Sequence, residues 1–95
     1  MLLTPILNVQ NELYGLLDLS KARPYVFRTR LERVLEKLRF LSRQESRTDI
    51  ENKCIKLREK LNYISDQSNH TSDGTLKSFA YLKDDIVILS ELLKR

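Results

Sequence analysis

The stretch that decides the fold is residues 24–43, PYVFRTRLERVLEKLRFLSR, in which apolar residues recur at alternating spacings of four and three. This spacing places side chains along one side of an α-helix. Pro24 suits the first helical turn because an N–H at that position would have no intrahelical partner. We therefore predict a helix over residues 24–43. Its apolar seam consists of Phe27, Leu31, Val34, Leu38 and Leu41.

A basic line of residues runs beside this seam on the same predicted helix. Arg30, Arg33 and Lys37 follow one another at helical spacing, and Phe40 continues the line away from the core. We call these four residues the Arg30 stripe. The acidic residues of the helix pair with other basic residues on the opposite flank, so the stripe has no partner within its own helix. It is therefore a candidate binding surface.

Three further segments show helical periodicity, and we predict helices over residues 5–18, 49–66 and 75–94. Thr48 and Glu51 are spaced as a capping box at the start of the third helix. The polar residues 67–74, QSNHTSDG, predict an exposed, mobile loop. Short connections are typical of antiparallel neighbours. The expected fold is all-α, an antiparallel up-down-up-down four-helix bundle formed by residues 1–95 as a single domain.

The second and third predicted helices align at an offset of 23 residues. Arg30, Arg33 and Lys37 then correspond to Lys53, Lys56 and Lys60, and Phe40 corresponds to Tyr63. We call Lys53, Lys56, Lys60 and Tyr63 the Lys53 stripe and add it to the candidate binding residues. A duplication would produce this match, as would two unrelated amphipathic basic helices. Phe40 and Tyr63 are also interpretable as aromatic cover between helices.

The composition is that of a helical protein with one strongly basic region. Of 95 residues, 41% are hydrophobic and 32% charged, with two Gly and two Pro. The formal charge is +4, but residues 21–60 contain thirteen Lys/Arg against six Asp/Glu, a balance of +7. Such a region attracts nucleic acid, an anionic membrane leaflet or an acidic protein patch. A solvated bundle face would have the same composition.

Catalytic and metal-binding signatures are missing from the sequence. It has no glycine-rich phosphate loop, HExxH, CxxC or G-x-S-x-G motif. Asp84 and Asp85 are adjacent and point about 100° apart on a helix, so a solvated face is expected there. Cys54 is interpreted as a small buried hydrophobe, and His70 has no clustered ligands around it. We predict no enzyme activity, cofactor, metal or small-molecule substrate.

The expected location is the cytoplasm, with possible contact at the inner face of the membrane. No apolar run approaches the roughly 18 residues of a membrane span. Residues 1–10 lack the basic flank and uninterrupted apolar run of a signal peptide. The basic stripes would attract the protein to an anionic leaflet.

Several short matches point to a known family. The chain has Glu12-Leu13-Tyr14, then Ser20-Lys21 and Pro24-Tyr25, a second helix with Leu31, Val34-Leu35 and Lys37, and Leu89-Ser90-Glu91-Leu92 near its end. In these features it resembles the enterocin A/pediocin-type (class IIa) bacteriocin immunity proteins. That resemblance implies a small basic four-helix bundle in the cytoplasm that protects a bacterium from a pore-forming peptide.

The resemblance also implies a partner and a region of contact. Immunity proteins of this family are thought to engage the toxin-bound mannose permease from the cytoplasmic side, and their C-terminal half selects the toxin. In this sequence that half contains the third and fourth helices and loop 67–74. His70, Lys94 and Arg95 therefore join the two stripes as candidate contacts. A generic helical protein–protein adaptor is the first alternative, and a small nucleic-acid-binding regulator is the second.

Overall fold

The structure, a computed structural model, describes residues 3–64 and 70–94, with the side chains of the first helix described from Asn8 onward. Four α-helices follow one another: α1 (Leu3–Leu16), α2 (Pro24–Gln44), α3 (Thr48–Tyr63) and α4 (Lys77–Leu93). Within the described ranges there is no β-strand, and the one bridge joins His70 to Leu76. The all-α prediction is therefore confirmed.

The first helix lies two residues earlier than the predicted 5–18. The chain forms tight turns after Leu16. In these turns the N–H groups of Leu17 and Leu19 donate to the carbonyls of Tyr14 and Leu16 at 3.0 and 3.1 Å. These bonds span three residues and satisfy carbonyls that the end of the helix leaves free. The second helix begins at Pro24 as predicted and ends one residue later, at Gln44.

The capping box predicted at the start of α3 is wrong. Arg47 is the N-cap, Thr48 is already helical, and no side chain caps the helix. The carboxylate of Glu51 instead accepts a hydrogen bond from Arg43 on α2. The predicted end at residue 66 is also wrong, since Ile64 is extended, with ψ at 128°. Residues 65 and 66 lie outside the described residues.

The described part of the predicted loop is exposed, and it is attached to the connection between α1 and α2. The Leu76 N–H donates to the Ser20 carbonyl at 2.6 Å, and the Lys21 ammonium donates to the Asp73 carbonyl at 2.8 Å. The extended Leu76 is the N-cap of α4, so this helix starts at Lys77, two residues after the predicted start, and ends one residue early, at Leu93. Residues 67–69 of the predicted loop lie outside the described residues.

The four apolar seams meet in one core. The Phe27 and Phe79 rings pack edge to face with centroids 5.8 Å apart, an arrangement that aromatic quadrupoles favour. Leu41, predicted on the α2 seam, is half-buried at the edge of the core. The prediction that Cys54 is a buried hydrophobe is confirmed, and burial raises the pKa of its thiol to about 12. The core includes Val9, Leu13, Leu16, Phe27, Leu31, Val34, Leu35, Leu38, Ile50, Cys54, Leu57, Leu61, Leu76, Phe79, Leu82, Ile86 and Leu89.

The helices contact one another in a ring, and this ring positions the candidate surfaces. Helix α1 packs against α2 and α4, and α3 packs against the same two helices. Along the α2–α3 junction, Glu32 is paired with Arg28 at 2.9 Å and with Arg58 at 3.7 Å. The acidic flank of α2 is therefore occupied by α3, and the Arg30 stripe lies on the other side of α2, beside α1.

Candidate functional site

The Arg30 stripe borders α1 and forms part of an open surface, which we call the α1–α2 face. It consists of Glu12 and Gly15 from α1 with Arg30, Arg33, Lys37 and Phe40 from α2. The Lys37 ammonium donates to the Glu12 carboxylate at 2.8 Å. Arg30 and Arg33 are exposed, and neither has a hydrogen bond or ion pair with any side chain that the structure describes. Two uncompensated guanidinium groups therefore project from this face.

Phe40 lies on the same face and is 63% exposed. It lines a shallow depression together with Val9 and Leu41. The interpretation of this ring as cover between helices is therefore wrong, because most of its surface remains in contact with solvent. An exposed aromatic ring on the same face as unpaired arginines is a combination typical of contact surfaces, since Phe and Arg are both enriched in protein interfaces.

The Lys53 stripe borders a different helix, α4, where its lysines meet an acidic partner. The ammonium groups of Lys53 and Lys60 each donate to one carboxylate oxygen of Asp85 at 2.8 Å. The Asp85 side chain is only 13% exposed. Burial alone would raise the pKa of Asp85, but hydrogen bonds from Lys53 and Lys60 lower it below its ordinary value. We call these three residues the Asp85 clamp.

The prediction that the two adjacent aspartates form a solvated face is wrong for Asp85. Asp84 is exposed as predicted, whereas Asp85 lies between α3 and α4. No residue on α4 near Asp85 gives a sequence signal for this role, because the partners come from another helix. Asp85, which forms ion pairs with two of the candidate lysines, was therefore not predicted from the sequence.

The remaining members of the Lys53 stripe, Lys56 and Tyr63, are not part of the clamp. Tyr63 is 83% exposed, so it also does not serve as cover between helices. Lys56 is exposed and has no ion-pair partner among the described residues. Lys60 also lies 6.0 Å from the centroid of the Tyr81 ring, at the outer limit of a cation–π contact. We call Lys53, Lys56, Lys60, Tyr63, Tyr81 and Asp85 the α3–α4 face.

The two stripes do not form one surface. The α1–α2 face and the α3–α4 face share no helix, and the four helices pack in a ring, so the faces lie on opposite sides of the molecule. The two stripes contain matching residue types, as the alignment indicates. However, the stripe on α2 lies beside α1, whereas the stripe on α3 lies beside α4.

Of the three other candidate residues, two lie apart from both faces and one lies outside the described residues. The Nε2 atom of His70 is 3.1 Å from the Ala22 carbonyl, in the connection between α1 and α2. Lys94 donates to Glu91 at 3.3 Å, and hydrogen bonds to Tyr14 and Glu91 raise its pKa. Arg95 lies outside the described residues. Neither His70 nor Lys94 contacts a residue of the two stripes.

Two further features concern metal binding and membrane insertion. Among the side chains that the structure describes, no three or more His, Cys, Asp or Glu residues lie close enough together to hold a metal ion. None of the described helices combines the length and the apolar character needed to cross a membrane. Comparison of the chain with protein-family models, with curated proteins and with solved structures gave no match.

Proposed function

We propose that this chain is a bacteriocin immunity protein. It would act without catalysis, in the cytoplasm, by engaging the mannose permease that a pediocin-like peptide has occupied. The observation that carries this proposal is the α1–α2 face, where Arg30 and Arg33 are unpaired and Phe40 is exposed. Blocking a leak requires a surface with higher affinity for the toxin-bound permease than for the free permease, and no reaction.

The fold that we propose for this role is the antiparallel up-down-up-down bundle. Two contacts between α2 and α3 support it. Arg28 near the start of α2 donates to Asn62 near the end of α3 at 3.0 Å, and Arg43 near the end of α2 bonds Glu51 near the start of α3. The bond from the Leu76 N–H to the Ser20 carbonyl, at 2.6 Å, joins the start of α4 to the connection that follows α1, which supports opposite directions for these two helices.

A protein partner explains the α1–α2 face better than a lipid surface does. A basic residue close to an anionic leaflet contributes about 1 kcal/mol, so Arg30 and Arg33 together would supply about 2 kcal/mol. The basic residues of the α3–α4 face lie on the opposite side of the molecule and cannot meet the same membrane plane. Arginine and an aromatic ring in a closely packed protein contact commonly contribute more than this. Any attraction to the leaflet would therefore aid encounter and would not provide most of the affinity.

The same separation argues against nucleic-acid binding. A nucleic-acid backbone requires a continuous row of cations for its phosphates. In this chain, Glu32 and Glu36 lie at the α2–α3 junction, between the two basic stripes, where Arg58 is 3.7 and 3.9 Å from their carboxylates. The acidic residues interrupt any path from Arg33 to Lys56 across this side of the molecule.

The direct test is expression of the chain in strains that are sensitive to pediocin-like peptides. We expect survival against at least one peptide in a panel, and unchanged sensitivity to pore-formers that do not use the mannose permease. If the expressed, folded chain protects against no member of the panel, the immunity proposal is wrong. A generic helical adaptor, which would use the same exposed surface, then becomes the preferred function.

A further inference from the structure

We infer that the α1–α2 face binds an amphipathic helical segment of a partner protein. An acidic residue of that segment would meet Arg30 and Arg33, and an apolar residue about two turns away would meet Phe40. This inference rests on the proposed function only in taking the α1–α2 face as the contact surface. It adds the chemistry and the spacing of the partner.

The first half of the binding surface is a depression of about 290 Å³ lined by Glu12, Gly15, Leu16, Arg30, Arg33 and Val34. Gly15 makes it open, because a Cβ built on this residue would have no neighbouring atom within 4 Å. The floor is apolar and the rim carries two unpaired guanidinium groups. Such groups bind carboxylates through two parallel hydrogen bonds, so an Asp or Glu side chain is the complementary ligand.

The second half is a neighbouring depression of about 280 Å³ lined by Asn8, Val9, Glu12, Lys37, Phe40 and Leu41. Glu12 lines both depressions, and its ion pair with Lys37 lies where they meet. Because Lys37 neutralises Glu12, the boundary between the depressions does not add a net repulsion for an acidic ligand. Val9 and Leu41 provide an apolar base next to the exposed Phe40 ring.

The residues that line the two depressions are separated by two turns of an α-helix. Arg33 and Phe40 are seven residues apart on α2, and Gly15 and Asn8 are seven residues apart on α1. Seven helical residues span about 10 Å, or two turns. A helix lying along this groove would present residues i and i+7 at the same separation, the arrangement by which amphipathic helices occupy grooves on other proteins.

The test uses synthetic helical peptides of about 16 residues, a length at which a helix is stable enough to be studied in water. Each peptide carries one Glu and one Leu seven positions apart, in either order along the chain. Matched control peptides carry Lys in place of Glu. Binding to the full chain is followed by NMR chemical shifts. We expect shifts at Gly15, Arg30, Arg33, Val9 and Phe40 with one of the two Glu peptides.

Two variants separate charge from shape. Arg30→Glu/Arg33→Glu should weaken binding about tenfold or more, corresponding to about 1.4 kcal/mol. Gly15→Gln leaves both arginines in place but fills the open part of the first depression, so it should also weaken binding while helical content is retained. Lys77→Glu/Lys83→Glu makes the same change in net charge at exposed positions of α4 and should leave binding unchanged.

Three outcomes would overturn the inference: no binding of either Glu peptide to this face below about 1 mM, equal binding of the Lys peptides, or no effect of the Arg30 and Arg33 variant. Sedimentation with vesicles containing about 30% phosphatidylglycerol provides the lipid comparison. Vesicle binding that depends on Arg30 and Arg33, with no peptide binding, would assign the face to lipid. Peptide binding without protection of any sensitive strain would leave this inference intact and refute the immunity proposal.

Discussion

On the α1–α2 face, Arg30 and Arg33 of α2 have no ion pair with a described side chain, because the acidic residue of α1 on this face, Glu12, pairs with Lys37. On the α3–α4 face, Lys53, the equivalent of Arg30, and Lys60, the equivalent of Lys37, are both held by Asp85 of α4. The two stripes have the same helical spacing and the same order of basic and aromatic residues. Their electrostatic states nevertheless differ, because Asp85 binds two lysines of the α3–α4 face, whereas Glu12 binds only Lys37 and leaves both arginines of the α1–α2 face unpaired.

This difference shows why a basic stripe is not by itself a binding site. An ammonium group that already shares a carboxylate must lose that partner before it can bind a ligand, and the loss offsets part of the gain. A guanidinium group in water has no such partner to lose. The α1–α2 face is therefore available for binding, whereas two lysines of the α3–α4 face join α3 to α4.

The largest effect on stability is expected from Asp85→Asn. The amide keeps the shape of the side chain but removes the charge that Lys53 and Lys60 share. The clamp is partly buried, so we expect a loss of about 1–2 kcal/mol, between the values for exposed and fully buried pairs. Urea unfolding of this variant and of the matched control Asp84→Asn would test it. An equal loss in the two variants would show that the clamp has no special role.

The same comparison predicts a pH dependence. The folded pKa of Asp85 lies below its unfolded value of about 3.9, so its stabilisation is present above that value. As the pH falls through the folded pKa, Asp85 becomes protonated and the stabilisation disappears. The difference in unfolding free energy between wild type and Asp85→Asn should therefore be at its maximum at pH 7 and should decrease as the pH falls below the unfolded pKa of about 3.9. A difference that does not change across this range would contradict the assignment.

A smaller and opposite effect is expected from Gly15→Ala on the α1–α2 face. Gly15 is helical, and no atom lies within 4 Å of the position that a Cβ would occupy. Alanine restricts the unfolded chain and favours helix, so the variant should be more stable by about 0.5–1 kcal/mol. Thermal unfolding followed by circular dichroism measures this gain. A loss of stability would show that the groove at Gly15 is closed in solution.

The smallest effect is expected from Glu12→Gln, which breaks the ion pair with Lys37. Both side chains are about half exposed, so the pair should contribute only about 0–0.5 kcal/mol, and less at high salt. Urea unfolding at low and high salt would measure it. A loss as large as that of Asp85→Asn would mean that the α1–α2 face is also held by a structural ion pair, and the contrast between the two faces would disappear.

The sequence was sufficient to predict the all-α fold and most of the core. Apolar spacing identified the seams because every helix buries one side, and Phe27, Leu31 and Leu38 of the predicted α2 seam are buried as that spacing requires. The helix ends were less predictable. The box of Thr48 and Glu51 did not form because Arg43, from another helix, binds the Glu51 carboxylate.

The residues of α2 in the candidate site were proposed from the sequence, but the residues of α1 beside them were not. The spacing of Arg30, Arg33 and Phe40 identifies a flank of α2, and that flank is exposed. Which helix lies beside the flank depends on how α2 is rotated in the core, and a pattern within one helix does not contain that information. Asp85 illustrates the same point, since its partners Lys53 and Lys60 are 32 and 25 residues away in the chain.

The most direct test of the central claim compares two charge-reversal variants with equal net charge in a protection assay. Arg30→Glu/Arg33→Glu alters the α1–α2 face, and Lys77→Glu/Lys83→Glu alters exposed positions of α4 outside both faces. Circular dichroism should show equal helical content in both. We predict that the first variant loses protection of a sensitive strain and that the second retains it. Full protection by a folded Arg30→Glu/Arg33→Glu variant would contradict the assignment of the α1–α2 face as the contact surface.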